Sequence, residues 1–157
     1  MEKKYPHDGL STDAGLSHNK KQIYIRIVDL ATMETIHTEI IEKECDSPEA
    51  ELLAIDRAIN YAHYGQVIYN DNLTIVNAIN ENYSTKLEKH IKKIRNKAHA
   101  KSVKIAFWNK KIYGKPPSDC RKLFRKERKH SWKLRRKYSW FFCCICYVIY
   151  YNICKEG

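Results

Sequence analysis

Residues 46 to 71 read DSPEAELLAIDRAINYAHYGQVIYND, a stretch in which the spacing of apolar residues changes from helical to extended. A serine hydroxyl accepts hydrogen bonds from free helix N–H groups, and proline suits the first helical position, so Ser47-Pro48 predicts a helix start. Leu52, Ile55, Ile59 and Ala62 then form one apolar stripe, which carries the helix to about His63. Tyr64-Gly65 stops it. Residues 66 to 70, QVIYN, are a short apolar strand that ends at Asp71.

The same reading extends outward in both directions. On the N-terminal side, QIYIRIVDL (22–30) alternates Ile23, Ile25 and Ile27 with Tyr24 and Arg26, the period of a half-buried strand. Residues 34 to 42 form a second β-rich run, and a short strand is expected before Asp13, with Pro6 and Gly9 limiting its length. On the C-terminal side, Leu73, Val76 and Ile79 restart helical spacing. The basic stretch Lys86 to Lys101 carries the narrow apolar stripe Leu87, Ile91, Ile94 and Ala98. VKIAFW (103–108) reads as a further strand, in which burial suits one of Phe107 and Trp108. A loop with Gly114, Pro116 and Pro117 follows, and a helix is expected from Ser118. Strands alternating with helices predict an α/β fold with one mixed sheet of five strands, the first antiparallel and the later ones parallel, flanked by helices.

Length and charge limit what such a fold can be doing. The chain has 157 residues, the size of a single domain, and 43% of them are hydrophobic, which excludes disorder throughout. Its net charge is +11, and ten of its 29 Lys and Arg lie between Arg121 and Lys137 with one acid among them. That distribution leaves a near-neutral body and a strongly basic segment, suited to polyanionic partners. Four of the six cysteines lie within Cys143 to Cys154, which is not a disulfide framework. Cys143 and Cys146 have CxxC spacing but no second pair to complete a zinc site. The opening MEKKYPHD lacks the apolar stretch of a secretory signal, so free thiols in a cytoplasmic compartment are expected. The apolar run Trp140 to Tyr151 falls short of the ~20 residues that span a bilayer. We therefore divide the chain into a domain at 1–129 and a basic, then aromatic and cysteine-rich, extension at 130–157.

Four acids occupy suggestive places. Asp13 is expected where the first strand leaves the sheet, and Asp71 ends the QVIYN strand; the carboxyl ends of strands are the usual ligand edge of an open α/β sheet. On a helical wheel Glu51 lies roughly 50° from the middle of the apolar stripe and Glu49 roughly 110° away, so Glu51 faces the sheet margin and Glu49 faces water. Asp119 follows the Pro-Pro loop and opens the last expected helix. Each acid also has an ordinary structural use: a turn at Asp13, a helix cap at Asp71 or Asp119, and a favourable first-turn charge at Glu51.

In order and setting these pieces resemble the type 1 ribonuclease H family. Ser11-Thr12-Asp13-Ala14-Gly15 is similar to its first-strand Thr-Asp-Gly, Glu49-Ala50-Glu51-Leu52-Leu53-Ala54 to its Glu-Leu-x-Ala helix motif, and Tyr69-Asn70-Asp71-Asn72 to its strand-end Asp-Ser. Asp119 resembles the family's last acid. The resemblance spans residues 10 to about 127 and implies an RNase H-like fold. It also implies a metal-dependent endonuclease that hydrolyses the RNA strand of RNA/DNA hybrids, with catalytic and metal-binding Asp13, Glu51, Asp71 and Asp119. Two Mg²⁺ or Mn²⁺ ions are implied as cofactors: Asp13 would bridge them, Glu51 and Asp71 would complete one site, and Asp119 the other.

The chain departs from the family in two places: no histidine occurs between Asn109 and Ser118, and the Gly-rich opening of the second strand is missing. The alternative reading is an RNase H-like module that binds hybrid or structured RNA with little cleavage. Lys89, Lys92, Lys93, Arg95 and Lys97 resemble the basic helical protrusion of some ribonucleases H, or else form a solvated helix face, and Lys111 lies in the loop where the family's histidine falls. Phe124, Trp132 and Tyr138 among the tail's cations suit nucleic acid, and with the apolar run they equally suit peripheral contact with an anionic membrane.

Overall fold

A computed structural model describes residues 5–17, 21–81 and 86–120. Its elements are β1 (Leu10–Leu16), β2 (Gln22–Asp29), β3 (Thr35–Glu42), α1 (Ser47–Tyr61), β4 (Val67–Asn70), α2 (Leu73–Asn80), α3 (Glu88–Ala100), β5 (Lys104–Phe107) and the single turn α4 (Lys110–Tyr113). The sheet order is β3-β2-β1-β4-β5. β1 pairs antiparallel with β2, β2 antiparallel with β3, and β4 runs parallel to both β1 and β5. The expected mixed five-stranded sheet is therefore present.

One face of the sheet supplies Leu10, Ile23, Ile25, Ile27, Ile68 and Ile105 to the core beneath the helices. Ala50, Ala54 and Ala58 recur every fourth residue along α1 and are buried, so the helix axis can lie close to the strands. Ile75, Val76 and Ile79 of α2 and Ile91, Ile94 and Ala98 of α3 complete the layer. The stripe expected in the basic stretch is thus a core stripe. The Thr12 hydroxyl donates to the Ala54 carbonyl, fixing the height of α1 over β1.

Several local expectations are corrected. The N-cap of α1 is Asp46, whose carboxylate accepts the Glu49 N–H at 2.9 Å; Ser47 and Pro48 lie inside the first turn, and the helix ends at Tyr61. A carboxylate satisfies the free donors and also complements the positive helix terminus, so it takes the cap from the serine. Asp13 lies inside β1 rather than beyond it, because the pairing with β2 continues to Leu16. β2 is more buried than a half-buried strand, because Tyr24 and Val28 are buried along with Ile23, Ile25 and Ile27, while Gln22 and Arg26 remain partly exposed. Residues 110–113 form a helical turn where a plain loop was expected. Trp108, just beyond β5, is the buried member of its aromatic pair. Residues 118 to 120 are turn and irregular backbone. The helix expected after Ser118, the boundary at 129 and the 130–157 extension lie outside the described residues. Among the described residues no helix is long and apolar enough to cross a membrane, and Cys45 and Cys120 are free.

Candidate metal centre

The register of β1 against β4 brings the first two acids together. Parallel pairing stops at Thr12 opposite Asn70, so Asp13 and Asp71 are the next residues on adjacent strands. Beyond that point β1 still presents backbone groups toward the side that β4 has left, and side chains take over the ladder. Asn70 donates through Nδ2 to the Thr12 carbonyl at 3.2 Å and to Glu51 Oε2 at 2.8 Å, while the Ala14 N–H donates to the Glu51 carboxylate. Glu51 thus reaches from α1 into the gap where β4 ends. One carboxylate oxygen from each of Asp13, Glu51 and Asp71 lies within 4.8 Å of the other two.

Asp119 approaches from another direction. The buried hydroxyls of Ser11 and Ser118 are 2.8 Å apart, and the Cys120 N–H donates to Asp13 Oδ2 at 2.7 Å, so the segment 118–120 is pinned beside β1. The charge of Asp119 acts on Asp13, but Asp119 is not part of the three-acid cluster.

The electrostatics follow from burial. Asp13 and Glu51 are 7% and 6% exposed. Desolvation, offset in part by the Cys120 N–H and reinforced by the charges of Asp71 and Asp119, raises Asp13 from its ordinary range to about 6. Desolvation and the neighbouring Asp13 raise Glu51 to about 8, despite its bond from Asn70. Burial likewise pushes the Cys120 thiol up, which leaves it protonated rather than a reactive thiolate or soft metal ligand. A divalent cation fits this set: the donors are hard oxygens from three separate elements, and its charge would offset their mutual repulsion.

Two residues at the centre were not picked out from the sequence. Asn70 is fully buried and orients Glu51; the signal was a polar residue in an otherwise apolar strand. Lys110 forms an ion pair with Asp71, its Nζ 2.5 Å from Oδ2, and no sequence pattern announces that pairing. Lys111, by contrast, is exposed. In the basic helix, Lys89, Lys92 and Lys93 are exposed as expected. Arg95 instead donates to the Ile79 and Ala78 carbonyls at the end of α2, and Lys97 donates to the Asp56 carboxylate at 2.8 Å.

The sheet order, the mix of antiparallel and parallel strands and the flanking helices define a ribonuclease H-like fold. Among solved structures the chain is similar to LC11-RNase H1, isolated from compost by a metagenomic approach. Identity is 20% over 65% of this chain and 84% of that one, with a TM-score of 0.50. It is also similar to LC11-RNase H1 in complex with an RNA/DNA hybrid, at 18% identity over 66% of this chain and 86% of that one, with a TM-score of 0.51. No family model and no curated protein matches the chain.

Proposed function

We propose that the protein is a divalent-metal-dependent endonuclease of ribonuclease H type, hydrolysing the RNA strand of RNA/DNA hybrids. The observation that carries this reading is the cluster of Asp13, Glu51 and Asp71 at the sheet edge of a ribonuclease H-like fold. Asp13, Glu51 and Asp71 would hold one Mg²⁺ or Mn²⁺, and Asp13 with Asp119 a second. Such ions supply a nucleophilic water and stabilise the leaving oxygen in phosphodiester hydrolysis. The chain's own part is to fix the carboxylates before substrate arrives: Asn70 and the Ala14 N–H aim Glu51, and the Cys120 N–H aims Asp13. Exposed Lys89, Lys92, Lys93 and Lys111 would contact the hybrid's phosphates. LC11-RNase H1 has been solved with an RNA/DNA hybrid, which supports that choice of substrate.

The test is cleavage of labelled hybrid by the full chain in Mg²⁺ or Mn²⁺, with Asp71→Asn as control. Product from the wild type and almost none from the variant is expected; equal cleavage by the two overturns the assignment. A second reading, hybrid binding without turnover, is favoured by the lack of histidine between Asn109 and Ser118. It predicts tight, salt-sensitive binding and no product in either metal.

A further inference from the structure

Lys110 is the one cation that the described structure places on an acid of the cluster. Its position is built rather than incidental. Asn109 caps α4 through its side chain, which accepts the Lys111 N–H at 3.0 Å. The turn closes on Trp108, fully buried, whose indole N–H donates to the Gly114 carbonyl at 2.9 Å. The Trp108 ring packs on Tyr113 at 5.2 Å and edge-on to Tyr69 at 6.0 Å, and its backbone N–H donates to the Asn70 carbonyl. Trp108 thereby ties α4 to the end of β4, one residue from Asp71. Lys110 Nζ is delivered to Asp71 Oδ2, and its charge acts on Asp13 as well.

We infer that Lys110 is a resident counter-ion of the metal centre, which a divalent cation must displace from Asp71, so that Lys110 sets the metal concentration at which the site loads. This rests on the reading of Asp13, Glu51 and Asp71 as metal ligands. An ammonium and a metal ion compete for the same carboxylate oxygen, and the Lys110 side chain is 43% exposed, which leaves it free to swing into water once displaced. The metal-free protein would then keep a partly neutralised cluster, at the expense of weaker metal affinity.

The experiment is calorimetric titration of Mn²⁺ into the full chain at low ionic strength, for wild type, Lys110→Met, Lys110→Arg and Lys104→Met. Lys104 is exposed at the opposite end of β5 and removes the same formal charge at a distance. Lys110→Met is expected to bind Mn²⁺ about tenfold more tightly, the equivalent of one charge-assisted hydrogen bond no longer lost on binding. Lys110→Arg keeps the charge and should show no gain, and Lys104→Met should match wild type. Thermal melts give an independent readout, a larger Mn²⁺-induced rise in Tm for Lys110→Met than for wild type. Equal affinity of Lys110→Met and wild type, or an equal gain in Lys104→Met, overturns the exchange while the metal centre stands. Absence of Mn²⁺ binding in every protein overturns the metal centre and the exchange with it.

Discussion

Asn70 joins three parts of the centre through one side chain. Its amide donates to Thr12 and Glu51 and its oxygen accepts the Asn72 N–H, so no polar atom of this fully buried group is wasted. Asn70→Ala takes the side-chain donor from the buried Thr12 carbonyl and leaves the buried Glu51 carboxyl with the Ala14 N–H but without its amide donor. It is expected to lower unfolding free energy by about 1–3 kcal/mol, read from urea denaturation. The raised acids make a second prediction. Asp13 and Glu51 ionise only at about 6 and about 8 in the folded state and near their ordinary values when unfolded, so the native protein holds more protons between those limits. Their stabilising contribution is therefore complete below pH ~4 and lost as pH rises through 6 to 8. Melts in a chelating buffer should show Tm falling from pH 5 to pH 8, and Glu51→Gln should flatten that slope. Glu39 works oppositely: its bond to Arg57 holds its carboxyl below the ordinary range, so its contribution fades only in stronger acid.

The helices are locked at their ends by cations from α3 and the turn that follows it. Nothing basic lies in the last turn of α1, yet Lys101 donates to the Ile59, Asn60 and Ala62 carbonyls at 2.9, 3.1 and 3.2 Å. Arg95 does the same for α2. A cation there meets unpaired carbonyls and the negative end of the helix dipole. Lys101→Met should therefore lower stability by ~1 kcal/mol in urea. The exposed cations of α3 should behave differently. Replacing Lys92 and Lys93 together by alanine should leave Tm within about a degree or two, since surface changes of this kind are close to neutral. It should also weaken hybrid binding and reduce the slope of log Kd against log salt by about 1 per lost phosphate contact. The single stretch Lys86 to Lys101 thus divides into cations that hold the fold and cations free to meet phosphate, a division set by which helical face each occupies.

Across the whole chain, the charge of +11 is concentrated in residues 121–137, and the remainder carries about +2. Hybrid binding by the full chain should accordingly fall by about 10³-fold between 50 and 200 mM salt, measured by fluorescence anisotropy. If flotation with anionic vesicles is retained where hybrid binding is lost, the basic segment belongs to lipid instead. Strand and helix order, the antiparallel start, the parallel finish and the three acids Asp13, Glu51 and Asp71 were all legible in the amino-acid sequence. Periodicity and end signals are local, and each acid marks its own element. Burial of Tyr24 and Val28 in β2 was not legible, because alternation reports one covered face and says nothing of the other. Nor could spacing reveal that Asp13 continues a strand on one side while ending a ladder on the other. That depends on β4 stopping at Asn70, a pairing between distant segments. The same reason hides Lys110: a lysine in a single helical turn has no periodicity, and only the packing of Trp108 against the end of β4 decides that its ammonium meets Asp71.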